Sequence, residues 1–209
     1  MISKLVIGTR GSKLALYQAN LVKSKLETAY PTLEVVINII KTKGDKILDI
    51  ALSKIGDKGF FTKEIQDALY KKEVDIAVHS LKDLPTELPK GTQLGAILER
   101  TNHRDVLVSI NGKKLTDFTS DDKIATSSLR RKSQLIQINK EVQVVEIRGN
   151  VDTRIRKMYN GHCQGMIMAA AGIERLGLQN HITEYLNETQ MLTAPGQGAI
   201  AIEIREEDN

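Results

Sequence analysis

The 209 residues are enough for one large domain or for two domains of about a hundred residues each. Hydrophobic residues make up 41% and charged residues 27%, which excludes disordered, collagen-like and coiled-coil chains. The sequence has no apolar run near the roughly 20 residues that span a bilayer and no secretory signal pattern, so we expect a cytoplasmic protein. One cysteine excludes an internal disulfide, and four scattered histidines predict no metal site.

The first half of the chain alternates short apolar runs with helical periods. Predicted helices cover residues 15–29 and 61–72, while residues 42–58 show no clean period and predict a mobile loop. The predicted strands of this half are residues 4–9, 34–40, 74–79 and 93–98.

The second half repeats this alternation. Helices are predicted near residues 129–138 and through Val151, Ile155 and Met158. The alternation predicts an α/β architecture. The predicted strands of this half are residues 106–110, 123–125, 142–147, 166–171 and 198–205.

Two such sets predict two domains. The first domain would contain residues 1–100 plus 196–209, and the second would contain residues 101–195. The chain would cross between them at 101–104 and 193–198, and its last strand would return to the first domain. The domain prediction therefore places two crossover segments between two α/β units.

Positive charge is concentrated in one stretch of the chain. Residues 121–157 carry nine Lys or Arg against five Asp or Glu, a surplus equal to the whole chain's net charge of +4. Such a region fits nucleic acid, an anionic membrane or a small polyanionic ligand. Aromatic residues make up only 4% and tryptophan is absent, which disfavours base stacking. A nucleic-acid binder stays as an alternative, testable by the salt dependence of binding.

Basic side chains follow several of the predicted strands. Ligands of open α/β sheets bind beyond the carboxyl ends of the strands. Arg130 and Arg131 fall in the first turn of a predicted helix, where each cation costs about 0.3–1 kcal/mol unless an anion is bound. Any single arginine could instead pair with an acidic residue, but the set favours a ligand with several carboxylates. The cations at these ends are Arg10, Lys82, Arg130, Arg131, Arg148, Arg154 and Arg175.

Three other side chains are candidates for a chemical role. Asp83 either pairs with Lys82 or stabilises a cationic intermediate and moves a proton. His79 is expected to be a core residue bonded to the backbone. Cys163 follows His162 in a polar turn, and we interpret it as incidental.

Six motifs spread along the chain resemble the porphobilinogen deaminase (hydroxymethylbilane synthase) family. The resemblance covers nearly the whole chain and implies the first two domains of a three-domain transferase. These two domains would resemble type II periplasmic binding proteins joined by two crossover segments. The motifs are residues 9–16 (TRGSKLAL), 78–85 (VHSLKDLP), 126–131 (TSSLRR), 148–154 (RGNVDTR), 171–178 (AGIERLGL) and 195–199 (PGQGA).

The resemblance implies an activity in tetrapyrrole (haem and porphyrin) biosynthesis. Four porphobilinogen units would be condensed stepwise into hydroxymethylbilane with release of ammonia. The family's dipyrromethane cofactor is covalently bound to a cysteine of the third domain, and we do not expect it on Cys163. We therefore expect these 209 residues alone to be inactive. The expected protein is a monomer with a small-molecule substrate and no nucleic-acid or membrane partner.

The resemblance also implies roles for single residues. Asp83 would be catalytic, and residues 42–58 would match a flexible loop over the cleft. A non-catalytic module of the same fold that captures a polycarboxylate is the alternative. Implied cofactor-binding residues are Ser80, Lys82, Thr126, Ser127, Ser128, Arg130 and Arg131. Implied substrate-binding residues are Arg10, Ser12, Gln18, Arg148, Arg154, Arg175 and Gln197.

Overall fold

The structure is a computed structural model that describes residues 3–46 and 61–208. These residues form two compact units: one contains residues 3–46, 61–100 and 199–208, and the other contains residues 101–198. Most of the predicted mobile loop, from residue 47 to residue 58, lies outside the described residues.

The elements alternate along the chain as the periodicity predicts. Helix α1 begins after Ser12, whose hydroxyl accepts a hydrogen bond from the Ala15 N–H at 3.2 Å, which satisfies one of the unpaired donors of the first turn. In chain order the elements are β1 Lys4–Thr9, α1 Lys13–Ala29, β2 Glu34–Ile39, α2 Lys43–Lys46, α3 Lys63–Tyr70, β3 Ile76–Ser80, β4 Thr92–Ile97, β5 Asp105–Ser109, β6 Lys123–Ala125, α4 Leu129–Ile138, β7 Gln143–Val145, α5 Val151–Tyr159, β8 Gly165–Ala169, α6 Ala170–Glu174, β9 Ile182–Tyr185 and β10 Ile200–Arg205.

The first unit is built on a five-stranded sheet with the order β2-β1-β3-β10-β4. Strand β1 runs parallel to β2 and β3, whereas β10 runs antiparallel to β3 and β4. The C-terminal strand therefore pairs inside this sheet, with Ile200 opposite Ser80. Because β1 and β3 are parallel neighbours, their carboxyl ends lie at the same edge of the sheet.

The second unit has its own five-stranded sheet with the order β7-β6-β8-β5-β9. Strand β6 runs parallel to β7 and β8, and β5 runs antiparallel to β8 and β9. Strands β5 and β8 are buried along nearly their whole length, which fits their almost continuous apolar sequences. The carboxyl ends of β6, β7 and β8 thus share one edge.

Each unit has its own apolar core. In the first unit Ile7, Ala19 and Val22 join β1 to α1, and each is at most 1% exposed. In the second unit Met158 and Met166 pack with Val106 between α5 and the sheet. Two separate cores agree with two α/β units, as the repeated alternation predicts.

The structure differs from the predicted elements in three places. Residues 43–46, which belong to the predicted loop 42–58, form the short helix α2. Residues 170–171, predicted to end a strand, begin helix α6 instead, because β8 stops at Ala169. The short edge strand β9 was not predicted, since four residues give too little alternation to distinguish a strand from a loop.

Candidate functional site

The strand ends of the first unit converge on one pocket. Side chains from the loop after β1, from α1 and from the turn after β3 line it together, although they are far apart in the sequence. Six residues that the sequence already marks as candidates are among them: Arg10, Ser12, Gln18, His79, Ser80 and Asp83.

Two features of the β1–α1 junction favour an anion in this pocket. The first turn of α1 contains no acidic residue, so no negative charge within the helix compensates the positive end of the helix dipole. The Arg10 guanidinium carbon lies 4.3 Å from the centroid of the Phe61 ring, a cation–π contact that holds the side chain. A cation and a helix N-terminus therefore adjoin the same pocket.

Asp83 lies on a single 3₁₀ turn, Leu81–Asp83, directly after β3. The side chains of Asp83 and Lys82 are both exposed. Close by, the Gln18 amide donates a 2.9 Å hydrogen bond to the Ser80 hydroxyl, which links α1 to the end of β3.

A buried polar network lies beneath the pocket. His79 lines the pocket at 5% exposure, and its Nε2 atom is 3.0 Å from the Oε2 atom of the fully buried Glu203. The Gln66 amide donates to both Glu203 oxygens at 3.0 and 3.2 Å. Burial alone would raise the pKa of Glu203, but the hydrogen bond and charge of His79, with Thr92 and Gln66, hold it below its ordinary value.

The sequence analysis placed His79 in the core, and the structure does the same. Its partner, however, is the Glu203 carboxylate rather than a backbone group. Glu203 was not predicted to matter, because it stands in an alternating strand that could equally present it to solvent. Only the pairing of β10 with β3, in which Glu203 lies opposite Ala77, brings it close to His79.

Hydroxyl groups shape the β6–α4 junction in the second unit. The Ser128 hydroxyl caps α4 by accepting from the Arg131 N–H at 3.4 Å. The Thr126 hydroxyl, buried at 3% exposure, accepts from the Ser128 N–H at 3.2 Å. The Ser127 hydroxyl donates to the Ile147 carbonyl at 2.7 Å. These side chains fix the loop that carries Arg130.

Two arginines of α4 share one buried carboxylate. Asp105 is 0% exposed, and its Oδ1 atom accepts from Arg131 Nη2 at 2.7 Å and from Arg131 Nε at 3.1 Å. The Arg130 Nη1 atom lies 2.8 Å from the other oxygen, Oδ2. The Gln197 amide donates to Oδ1 at 2.9 Å. Arg131 and Gln197 are therefore buried and bonded to Asp105, whereas 26% of the Arg130 side chain is exposed.

The remaining predicted arginines lie at the next strand and helix ends of the second unit. Arg148 follows β7 in a half-buried position, and Arg154 on α5 donates from Nε to the Gly149 carbonyl at 2.7 Å. Arg175 ends α6 and donates from Nη2 to the Thr101 hydroxyl at 3.1 Å and to the Gly198 carbonyl at 2.7 Å. Arg175 thus joins the two crossover segments of the chain.

Cys163 is buried, and no group of three or more possible metal ligands occurs among the described residues. Although it lies in the turn before β8, its side chain is 0% exposed and belongs to the core around Met158 and Met166. Burial raises the pKa of the Cys163 thiol to about 11, so it stays a neutral thiol at physiological pH. The backbone forms the predicted turn, while the Cys163 side chain lies in the core.

The fold is that of type II periplasmic-binding-like domains. The methionine-binding protein MetQ has a TM-score of 0.60 at 12% identity, with 99% of this chain and 84% of that chain covered. The amino-acid transporter binding protein ytmK of Bacillus subtilis has a TM-score of 0.56 at 10% identity, with 100% and 87% covered. At these identities the likeness shows the fold alone. No helix in the part of the chain that the structure describes is both long and apolar enough to cross a membrane.

Sequence comparison gives the family. The family described as porphobilinogen deaminase, dipyromethane cofactor binding domain, matches residues 5–209. The porphobilinogen deaminase of Syntrophomonas wolfei is 54% identical over 98% of this chain and 67% of its own length. That of Geobacter sulfurreducens is 50% identical over 99% of this chain and 65% of its own length. The chain belongs to the porphobilinogen deaminase family and spans about two thirds of the length of these relatives.

Proposed function

We propose that these residues form the pyrrole-binding part of a porphobilinogen deaminase, a cytoplasmic transferase that condenses four porphobilinogen units into hydroxymethylbilane and releases ammonia. The observation that carries the proposal is the pocket of the first unit. It brings the exposed carboxylate of Asp83 together with Arg10 and the Ser80 hydroxyl. One carboxylate beside an arginine and hydroxyl groups suits a substrate that is itself polycarboxylic and becomes cationic during reaction.

The catalytic role in this proposal belongs to Asp83. Its carboxylate would face a pyrrole nitrogen, where it accepts a hydrogen bond and stabilises the positive charge that develops as bonds form at the ring. An interaction that strengthens only along the reaction path raises turnover more than binding. The turn Leu81–Asp83, which follows β3 directly, supplies the rigid support that such a role needs.

The substrate's acetate and propionate groups would meet the arginines and their neighbours. Guanidinium groups bind carboxylates with two parallel hydrogen bonds, which fixes the ring as well as attracting it. The hydroxyl of Ser12 stands at the start of α1, where the helix dipole adds to this attraction, and the amide of Gln18 lies on the second turn of the same helix. The proposed substrate-binding residues are Arg10, Ser12, Gln18, Arg148, Arg154, Arg175 and Gln197.

The residues of this chain fit a dipyrromethane held by its carboxylates but not one attached to it. Arg130 keeps 26% of its side chain exposed beside a capped helix N-terminus, as an anion-binding group requires. Cys163 is buried with a raised pKa and is unsuited to form a thioether. When bound, the cofactor supplies the pyrrole carbon to which the next unit is joined. The residues that would hold it are Ser80, Lys82, Thr126, Ser127, Ser128, Arg130 and Arg131.

Two measurements test the proposal. The first titrates the 209-residue chain with porphobilinogen by calorimetry, and we expect saturable binding to a monomer. The second joins the chain to the remaining third of the Syntrophomonas wolfei relative and assays hydroxymethylbilane, which we expect the chimera to produce. A chain that binds the pyrrole while a correctly folded chimera never turns over would favour the non-catalytic module that captures a polycarboxylate. Absence of both binding and turnover would refute the proposed function.

A further inference from the structure

Asp105 occupies a position that the motif resemblance does not cover. It is the first residue of β5, directly after the first crossover segment, and its side chain is 0% exposed. Burial alone would raise the pKa of Asp105, yet the charge and hydrogen bonds of Arg131, with those of Arg130 and Gln197, hold it below its ordinary value. Asp105 is therefore a buried, ionised carboxylate.

The charges around Asp105 do not balance. One carboxylate faces two guanidinium groups, Arg131 on Oδ1 and Arg130 on Oδ2. Both arginines stand in the first turn of α4, where the helix dipole adds further positive potential and no acidic residue compensates it. The cluster thus keeps a surplus of positive charge, and Arg130 is its most exposed cation, with 26% of its side chain accessible against 9% for Arg131.

Hydrogen bonds hold both Arg131 and the Asp105 carboxylate in place. Arg131 uses Nε and Nη2 on Asp105 and donates from Nη1 to the Ile167 carbonyl at 3.1 Å. Gln197, on the second crossover segment, donates to Asp105 at 2.9 Å and to the His103 carbonyl at 2.7 Å. Asp105 is thereby held on three sides, and its second oxygen is directed at Arg130.

We propose that Asp105 is a positioning residue that holds Arg130, through its Oδ2 atom, at the start of α4 in the orientation that binds a ligand carboxylate. The inference rests on the proposed function, because the ligand is taken to be a pyrrole that carries carboxylates. Asp105 itself does not touch the ligand. It acts by reducing the freedom of the arginine before binding, so that less conformational entropy is lost on association.

The positioning role and simple electrostatics predict opposite changes in ligand affinity when the charge of Asp105 is removed. Asp105 is negative and the ligand is anionic, so simple Coulomb attraction predicts that removing the charge strengthens binding. A positioning role predicts the opposite, because Arg130 would then keep only its hydrogen bond to the Leu192 carbonyl and would sample more orientations. The direction of the change therefore separates the two explanations.

The experiment measures porphobilinogen binding to the 209-residue chain by calorimetry, with folding checked by circular dichroism. We expect Asp105→Asn to weaken binding at least tenfold. The matched control Asp121→Asn, which removes one exposed carboxylate from the same unit, should leave binding unchanged or slightly stronger. In an Arg130→Gln background Asp105→Asn should have less than a threefold effect, since its route to the ligand is gone. Unchanged or tighter binding by Asp105→Asn, or an equal loss in both backgrounds, would overturn the proposal.

A conservative variant keeps the test decisive if Asp105→Asn does not fold. Asp105→Glu retains the negative charge that the two guanidinium groups require but moves the carboxylate by one methylene group. We expect a folded Asp105→Glu chain with weakened binding, and wild-type affinity in that variant would contradict positioning. If the wild-type chain binds no porphobilinogen, the proposed function fails and this inference fails with it. Binding by the wild type with no loss in the variants overturns the positioning role alone.

Discussion

The Ser127 hydroxyl donates a 2.7 Å hydrogen bond to the Ile147 carbonyl, and the Ile147 N–H donates back to the same oxygen at 3.2 Å. This pair of bonds joins the loop after β6 to the loop after β7. The first loop leads to Arg130 and the second to Arg148, so the spacing of two basic segments depends on one serine side chain. Ile147 is 3% exposed, which leaves water little access to replace the bonds.

Replacement of Ser127 by alanine should therefore cost stability. The change leaves a buried N–H and a buried carbonyl without their partner, which typically costs about 1–3 kcal/mol. Chemical denaturation of Ser127→Ala measures the loss. The control is Ser133→Ala, because Ser133 is exposed and bonds only to the Leu129 carbonyl within its own helix. Equal stability of the two variants would show that the Ser127 bonds contribute nothing.

Asp83→Asn should abolish most turnover in the chimera with the Syntrophomonas wolfei relative. Loss of a group that stabilises charge along the reaction path typically lowers the rate by about 10²–10³. Porphobilinogen binding should change much less, because the neutral amide still accepts a hydrogen bond. Steady-state kinetics separate the two effects. Asp67→Asn on the exposed face of α3 is the control, and near-normal turnover by Asp83→Asn would remove Asp83 from the catalytic role.

Glu203 should make the stability of the first unit depend on pH. A carboxyl group with a lowered pKa in the folded state stabilises the fold above its unfolded pKa, and this contribution is lost as pH falls through the folded value. The unfolding free energy should thus decrease as pH drops below about 4.5, the ordinary value for a glutamate. Glu203→Gln should flatten this decrease in denaturation curves, whereas Glu73→Gln, an exposed control, should retain it.

The thiol of Cys163 should be unreactive in the native chain. Its side chain is fully buried and its pKa is raised to about 11, so thiolate is scarce at pH 8. A disulfide reagent such as dithionitrobenzoate should label it only after denaturation, with one equivalent per chain. The intact mass of the purified protein should equal that of the polypeptide. Rapid native labelling, or a pyrrole adduct on Cys163, would contradict the burial.

Gly198 should resist substitution at the end of the second crossover segment. Its φ of +92° lies in the left-handed region, and an added Cβ would lie 2.8 Å from the Thr101 carbonyl oxygen, a backbone atom that cannot easily move. Gly161 has a similar φ of +87° but open space around its Cβ position. Thermal unfolding of both alanine variants isolates the clash, because each pays about 1–2 kcal/mol for the positive φ. Gly198→Ala should lose clearly more stability than Gly161→Ala.

The local sequence was sufficient for the α/β alternation and for the cations at strand ends. Strand and helix periods depend on residues that are near neighbours in the chain, so they can be read without tertiary contacts. The motifs around Asp83 and Arg130 gave the family for the same reason, since they are short and contiguous. The position of the pocket in the first unit follows from the rule that parallel strands end at one edge.

Only the tertiary structure decided what the charged side chains touch. Asp105 and Arg131 are 26 positions apart, and Glu203 and Gln66 are 137 apart, so no local pattern could pair them. The sequence alone also could not show that Cys163 points into the core, because the same turn could direct it outward. Sheet pairing and burial determine these contacts. A buried polar group costs free energy unless it is hydrogen-bonded, and its partner can come from a distant part of the chain.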